Sequence, residues 1–297
     1  MKVFVTGATG FVGTAVVKEL IGAGHQVLGL VRSEASANAL KATGATVHMG
    51  DLEDLDSLRK GVEATDGIIH TGFIHDFSRF KEVCETDRRA IEAMGAALAG
   101  TNKPMIVTSG TALVQGGKLA VETDMAVPSP NPRLASEQAV DAIAAKGTRV
   151  AVVRLPPSTH GEGDHGFVPM LINFARQKNL SAYKGDGQNR WPAAHRFDAA
   201  KVYRLALESN FAAGTRFHAV AEEGITFKQI AETIGKHLNV PVVSLSPEEA
   251  AAHFEWFAHF AGINNPSSSE ITQKTLGWKA EQIGLIEDME RNGYFKA

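Results

Sequence analysis

Apolar residues fall into two rhythms along the first half of the chain. Short continuous runs at Lys2–Thr6, Gln26–Val31, Thr46–Met49, Gly67–His70, Pro104–Thr108 and Arg149–Leu155 read as strands. Amphipathic segments beginning near Phe11, Glu34, Leu55, Arg79 and Arg133 read as the helices between them. Parallel strands covered on both faces need unbroken apolar runs, and Met105-Ile106-Val107 and Val150-Ala151-Val152-Val153 supply them. The pattern predicts an α/β fold, a Rossmann-type doubly wound parallel sheet. After Arg154 the rhythm breaks at Pro156, Pro157, Gly161, Gly163 and Gly166, and Gly185–Trp191 reads as another loop. Helices near Asp198–Glu208 and Thr226–Leu238, a strand at Arg216–Val220 and an aromatic helix after Pro247 follow. Residues 1–155 are therefore expected to form a dinucleotide-binding core. Residues 156–297 should be mostly a smaller substrate-binding lobe, with segments returning to the main sheet.

Gly7-Ala8-Thr9-Gly10-Phe11-Val12-Gly13 lies where the first strand meets the first helix. Gly7 permits the tight turn, Gly10 leaves room for a pyrophosphate, and Gly13 lets helix and strand pack closely. Free N–H groups at the helix start and its dipole would face the phosphates. The second strand ends in Leu30-Val31-Arg32-Ser33 rather than in an acid that would take the ribose hydroxyls. Arg32 can pair with a 2′-phosphate and Ser33 can add a donor, which favours NADP(H). Arg32 can equally be a solvated strand-end residue stacked on adenine, and Glu34 keeps NAD(H) open. In Gly50-Asp51-Leu52, Asp51 can accept from the adenine amino group while Leu52 packs on the ring, or Asp51 can cap the next helix.

The glycine run, Gly50-Asp51-Leu52, His70-Thr71-Gly72-Phe73 and Thr108-Ser109-Gly110-Thr111 together resemble the extended short-chain dehydrogenase/reductase family, which includes the NAD-dependent epimerase/dehydratases. Arg154-Leu155-Pro156-Pro157-Ser158 and Ala194-His195-Arg196-Phe197-Asp198 extend the likeness over nearly the whole chain. It implies that Thr71, Gly72, Phe73, Thr108, Leu155 and Pro156 also border the cofactor. It further implies a tyrosine and a lysine four residues later on one helix, with a serine or threonine polarising the carbonyl. Here Arg133 stands at the tyrosine position and Glu137 at the lysine position, while Tyr183, Tyr203 and Tyr294 each lack a lysine four residues on. The chain reads as an atypical member that keeps the cofactor cleft and has lost the acid/base pair.

Other groups must then carry any chemistry. Ser109 and Thr111 are candidate carbonyl-polarising hydroxyls, or plain turn residues. Arg133 cannot donate a proton, so it either binds a carboxylate, phosphate or enolate or pairs with Glu137 one turn on. Among the histidines, His165 and then His75 are the candidate acids, and His195 is more naturally structural. His160, Asp164 and His165 match no standard metal spacing, so no metal is expected. Trp191 and Pro192 can wall the substrate pocket. Phe254, Trp256, Phe257 and Phe260 are too crowded for one helix face, so some should be core and others cleft or surface.

Composition narrows this only at the edges. The chain has 297 residues, 44% of them hydrophobic and 21% charged, with a formal net charge of −3. That balance gives no case for nucleic acid or an acidic membrane surface as a partner. Cys84 is the single cysteine, which excludes an internal disulfide and fits a cytoplasmic protein. Neither a signal region nor an apolar stretch long enough to span a bilayer is apparent. The expected function is an NADP(H)-dependent oxidoreductase acting on a small carbonyl compound or activated alkene. The alternatives are a cofactor-binding sensor without turnover and, behind it, an epimerase or dehydratase. The family likeness also suggests a homodimer through the helices near Arg79–Leu98 and Arg133–Ala145.

Overall fold

A computed structural model describes residues 1–114, 118–291 and 293–296. Strands β1 (Lys2–Thr6), β2 (Gln26–Val31), β3 (Thr46–Met49), β4 (Gly67–His70), β5 (Met105–Gly110) and β6 (Val150–Leu155) alternate with five helices. These are α1 (Phe11–Gly22), α2 (Glu34–Lys41), α3 (Leu55–Glu63), α4 (Phe80–Ala97) and α5 (Leu134–Ala144). Beyond them come β7 (Ser158–His160), α6 (Phe167–Lys178), β8 (Ser181–Lys184), β9 (Arg190–His195), α7 (Arg196–Glu208), β10 (Thr215–His218) and β11 (Glu222–Thr226). The chain closes with α8 (Phe227–Leu238), β12 (Val242–Leu245), α9 (Pro247–Phe254), α10 (Ala258–Ala261), α11 (Glu270–Leu276) and α12 (Leu285–Arg291).

Among the described residues, seven strands form one parallel sheet in the order β10-β6-β5-β4-β1-β2-β3. Alternate side chains go to opposite faces, and each face has its own core. Val3, Val5, Ile69, Ile106 and Val153 meet α1, α2 and α7. Phe4, Ile68, Met105, Val107 and Val152 meet α3, α4 and α5 on the other side. This is the Rossmann-type layering that the apolar runs predict. A third core belongs to the lobe, where Trp191 is fully buried with its ring centroid 5.0 Å from that of Phe227. Trp191 therefore does not wall a pocket. The loop expected at Gly185–Trp191 gives way to β9, which starts at Arg190 and lies between β11 and β7.

The helices start where their caps dictate. Ser33 opens α2, Asp54 opens α3, Thr226 opens α8, and Ser246 with Glu249 forms a capping box at α9, with Pro247 at its first turn. Helices α4, α5 and α6 start without a side-chain cap, and so does α1, where Gly10 brings no cap and the first turn has no acid. The carboxyl end of β1, an interior strand of the sheet, therefore meets a helix N-terminus that is open to an anion. Among the described residues, no helix is long and apolar enough to cross a membrane.

Candidate functional site

The β1–α1 turn is built for close approach. Gly7 has φ +67°, and a Cβ there would lie 2.7 Å from the Gly72 nitrogen. A Cβ on Gly13 would come within 1.9 Å of the Gly7 carbonyl oxygen, whereas one on Gly10 would meet only that oxygen, at 3.2 Å. Gly7 and Gly13 are fixed by packing, while Gly10 keeps its space for whatever the helix end binds. Thr9, Phe11 and Val12 flank that space. The neighbouring loop is tied on by Thr6: its carbonyl accepts from Thr71 Oγ1 at 2.8 Å, and its hydroxyl accepts from the Gly72 N–H at 3.1 Å. Arg196, which opens α7, places its guanidinium 4.8 Å from the centre of the Phe11 ring. Its buried Nε has no partner among the described residues. An uncapped helix start with an unpartnered guanidinium beside it fits a dinucleotide's phosphates.

At the end of β2, Arg32 is exposed and makes no ion pair among the described residues, so it is available to a phosphate. Ser33 is more committed, since its hydroxyl accepts the Ser36 N–H at 3.2 Å as the cap of α2. Asp51 does not cap α3. Asp54 does so, and Asp51 instead accepts from the Glu53 N–H at 2.9 Å within the turn. Leu52 sits against Gly72, so the loops that follow β3 and β4 touch. Leu155 ends β6 and Pro156 follows it, its carbonyl accepting from Thr159 Oγ1 at 3.2 Å.

The expected tyrosine and lysine positions lie on α5 and at the residue before it. Arg133 and Glu137 stand one turn apart there, and they do not pair with each other. Arg133 donates from Nη1 to Asp87 Oδ2 at 3.1 Å and to Ser136, and from Nη2 to the Thr108 carbonyl at 3.1 Å. Its guanidinium carbon lies 4.5 Å from the centre of the Phe73 ring. Asp87 is itself buried and accepts from His70 Nε2 at 3.0 Å, while His70 Nδ1 meets the Thr6 hydroxyl at 2.7 Å. Burial opposes the charge on Asp87, but Arg133, His70 and Ser136 outweigh it and hold the carboxyl below its usual range. Asp87 was not singled out from the sequence, whereas His70 stood among the candidate histidines and Thr6 in the glycine-loop motif, neither with this role. The available signal was a carboxylate at 87 in the apolar stripe Val83, Ala90, Ile91 and Met94 of α4.

Glu137 turns the other way. It takes both Nε and Nη2 of the fully buried Arg154 at 2.8 Å, and it accepts from Ser109 Oγ at 2.8 Å. The buried Ser109 hydroxyl is thus spent on Glu137, which removes it from the carbonyl-polarising role expected of it. Thr108 Oγ1 is likewise committed, to the His70 carbonyl and to Tyr203, each at 2.8 Å. Thr111 is fully buried, and its hydroxyl has no partner among the described residues.

The two candidate histidines come together. His75 packs edge-on against Phe73 with ring centroids 5.4 Å apart, and His165 packs edge-on against Phe11 at 5.7 Å. Desolvation, then the charges of His165 and Arg133, lower the His75 pKa below the ordinary histidine value. Arg133, Phe73, His75 and His165 therefore form one cluster, joined to the glycine loop through Phe11. His160 is drawn away from it by Asp288 at 2.8 Å, and His195 serves as the cap of α7. Tyr294, near the chain's end, donates to Asp164 Oδ2 at 3.0 Å and pins the loop that carries His165.

The family model described as the NAD dependent epimerase/dehydratase family matches residues 3–219. The chain belongs to that family. Within it, an uncharacterised protein of Schizosaccharomyces pombe is 51% identical, covering 99% of this chain and 100% of the relative. The 2-alkyl-3-oxoalkanoate reductase of Stenotrophomonas maltophilia is 32% identical, covering 70% of this chain and 66% of that protein. Among solved structures, a dTDP-glucose 4,6-dehydratase from Streptomyces venezuelae with bound NAD shares the fold at a TM-score of 0.78 and 17% identity, covering 99% and 96% of the two chains. This epimerase/dehydratase-family chain is an extended short-chain dehydrogenase/reductase of atypical kind, with an arginine and a buried glutamate at the two positions where tyrosine and lysine are expected.

Proposed function

We propose that this chain is a nicotinamide-dependent reductase that prefers NADP(H) and acts on a small carbonyl compound or activated alkene. The observation that carries the reading is the clustering of Arg133, His75 and His165 beside the uncapped α1. The bound dinucleotide would supply the hydride. Gly10, the start of α1 and Arg196 would hold its phosphates, and Arg32 would take the ribose 2′-phosphate. Arg133, fixed from behind by Asp87, would anchor an anionic group of the substrate, and His75 would deliver the proton. Two relatives support reduction as the reaction class, being named as a 2-alkyl-3-oxoalkanoate reductase and a quinoline-oxide ketoreductase.

A second reading, a cofactor-binding sensor without turnover, is favoured by the burial of Glu137 against Arg154 where a working lysine is expected. An epimerase or dehydratase stands behind both, because those reactions lean harder on the missing tyrosine. A fluorescence titration with NADPH and NADH separates the main claims. NADPH should bind at least about tenfold more tightly, and Arg32→Ala should erase that difference, consistent with one charge-assisted contact. Because the lowered pKa leaves His75 neutral at pH 7, kcat/KM for a reduced carbonyl should rise as pH falls below 6.5. His75→Gln should flatten that rise. Tight dinucleotide binding with no turnover on any carbonyl or alkene class would establish the sensor instead.

A further inference from the structure

We infer that the substrate is a monocarboxylate with an apolar or aromatic body, its carboxylate held by Arg133 and its body laid against an aromatic wall built from both lobes. The inference rests on the reductase reading for what happens next, but the binding site stands on its own geometry. A guanidinium has five N–H groups. Three of those on Arg133 are drawn back into the protein by Asp87, Ser136 and the Thr108 carbonyl. The remaining two, one of them on Nε, have no partner among the described residues and suffice to take a planar carboxylate side-on. The Phe73 ring, its centroid 4.5 Å from the guanidinium carbon, covers one side of the group and puts an apolar surface next to the carboxylate that it would take.

Charge and polarity both select against a phosphate or a nucleotide sugar. Asp87 already cancels much of the charge on Arg133, so the net field suits a monoanion rather than a dianion. From Phe73 the wall runs through Phe80 and Phe77 to Trp256 and Phe260 of the second lobe. Successive ring centroids along it lie 6.5, 5.7, 5.4 and 6.4 Å apart. Trp256 is 52% exposed, an apolar surface left open at the cleft's rim where the two lobes touch. A sugar ring would find few hydrogen-bonding side chains on that wall. An alkyl or phenyl body would cover it.

The test uses the intact apo-protein and two matched probes, 3-phenylpropanoate and the neutral 3-phenylpropan-1-ol. Trp256 is the exposed one of three tryptophans, so its emission reports binding. The carboxylate should bind at least tenfold more tightly than the alcohol. Arg133→Gln should abolish the preference, and Trp256→Ala, followed by titration calorimetry because it removes the emitting ring, should weaken both probes. Mass-spectrometric mapping of phenylglyoxal modification gives a second readout on the unmutated protein: Arg133 should be protected by the carboxylate and not by the alcohol. Equal binding of the two probes, or equal protection, overturns the inference. NADPH oxidation with carbonyl and alkene substrates, measured on the same samples, reports separately on the reductase reading, whose failure would leave the carboxylate preference intact.

Discussion

Arg133 and Glu137 sit one helical turn apart, yet they belong to different ion pairs, and the difference decides what each can do. Glu137 faces a fully buried Arg154, with Arg216 3.6 Å away on its other side. Burial works against its charge, but Arg154, Ser109 and Arg216 prevail and hold its carboxyl below the ordinary 4.5. A lowered folded-state pKa means that this stabilisation is present above about pH 4.5 and is lost as pH falls through the folded value. Glu137→Ala strands the Arg154 guanidinium in the core, and a loss of about 3–5 kcal/mol is expected at pH 7. Thermal melts from pH 7 to 3 should show the variant's deficit shrinking as the wild type's own carboxylate is protonated. Glu137→Gln, which can still accept from Arg154 and Ser109, should lose less. The sequence showed the charge reversal at 137 but not its partner. Arg154 comes from β6, and the register that brings it opposite Ser109 exists only once the sheet has formed. Asp87 was hidden for the same reason, lying 46 residues before the arginine that it holds.

Elements built from local rules were legible, and those built from neighbours were not. The strands of the first half are long apolar runs, and the caps at Ser33, Thr226 and Ser246 are local devices, so these ends lie within a residue or two of their readings. Strands β7, β8, β9 and β12 are short or interrupted, as by Pro192 in β9, and owe their pairing to the lobe that surrounds them. The aromatic segment after Pro247 divides as its crowding required: Phe254 and Phe257 are buried, and Trp256 is exposed. The turn that divides it passes through Glu255, held at φ +52° and ψ −126°. A side chain there costs roughly 1–3 kcal/mol of backbone strain. Glu255→Gly should therefore raise stability by about 1 kcal/mol after glycine's own entropy cost and the loss of an exposed Lys178 contact. An unchanged or lower denaturation midpoint would mean that the turn is relaxed as it stands. Because Trp256 follows directly, the same variant should loosen the aromatic wall.

At the scale of the molecule, the main sheet is not finished by the first half of the chain. Its last strand, β10, pairs with β6 only after the intervening β7–α7 segment has been laid down. Helix α7 also supplies Ala199, Val202, Tyr203 and Ala206 to the core shared with α1. On a ribosome, which releases the amino end first, β6 must therefore wait with one ladder edge unpaired and the apolar face beneath α7 uncovered. Residues 1–155 made alone should bind dye probes of exposed apolar surface and self-associate, whereas the whole chain, which carries α7, β10 and a complete lobe core, should do so much less. Light scattering and dye fluorescence on the fragment and the whole chain would show it. The nascent chain is thus most exposed to misassembly while its cofactor loop is already synthesised. A dinucleotide that reached that loop early would be binding a scaffold whose far edge was still open.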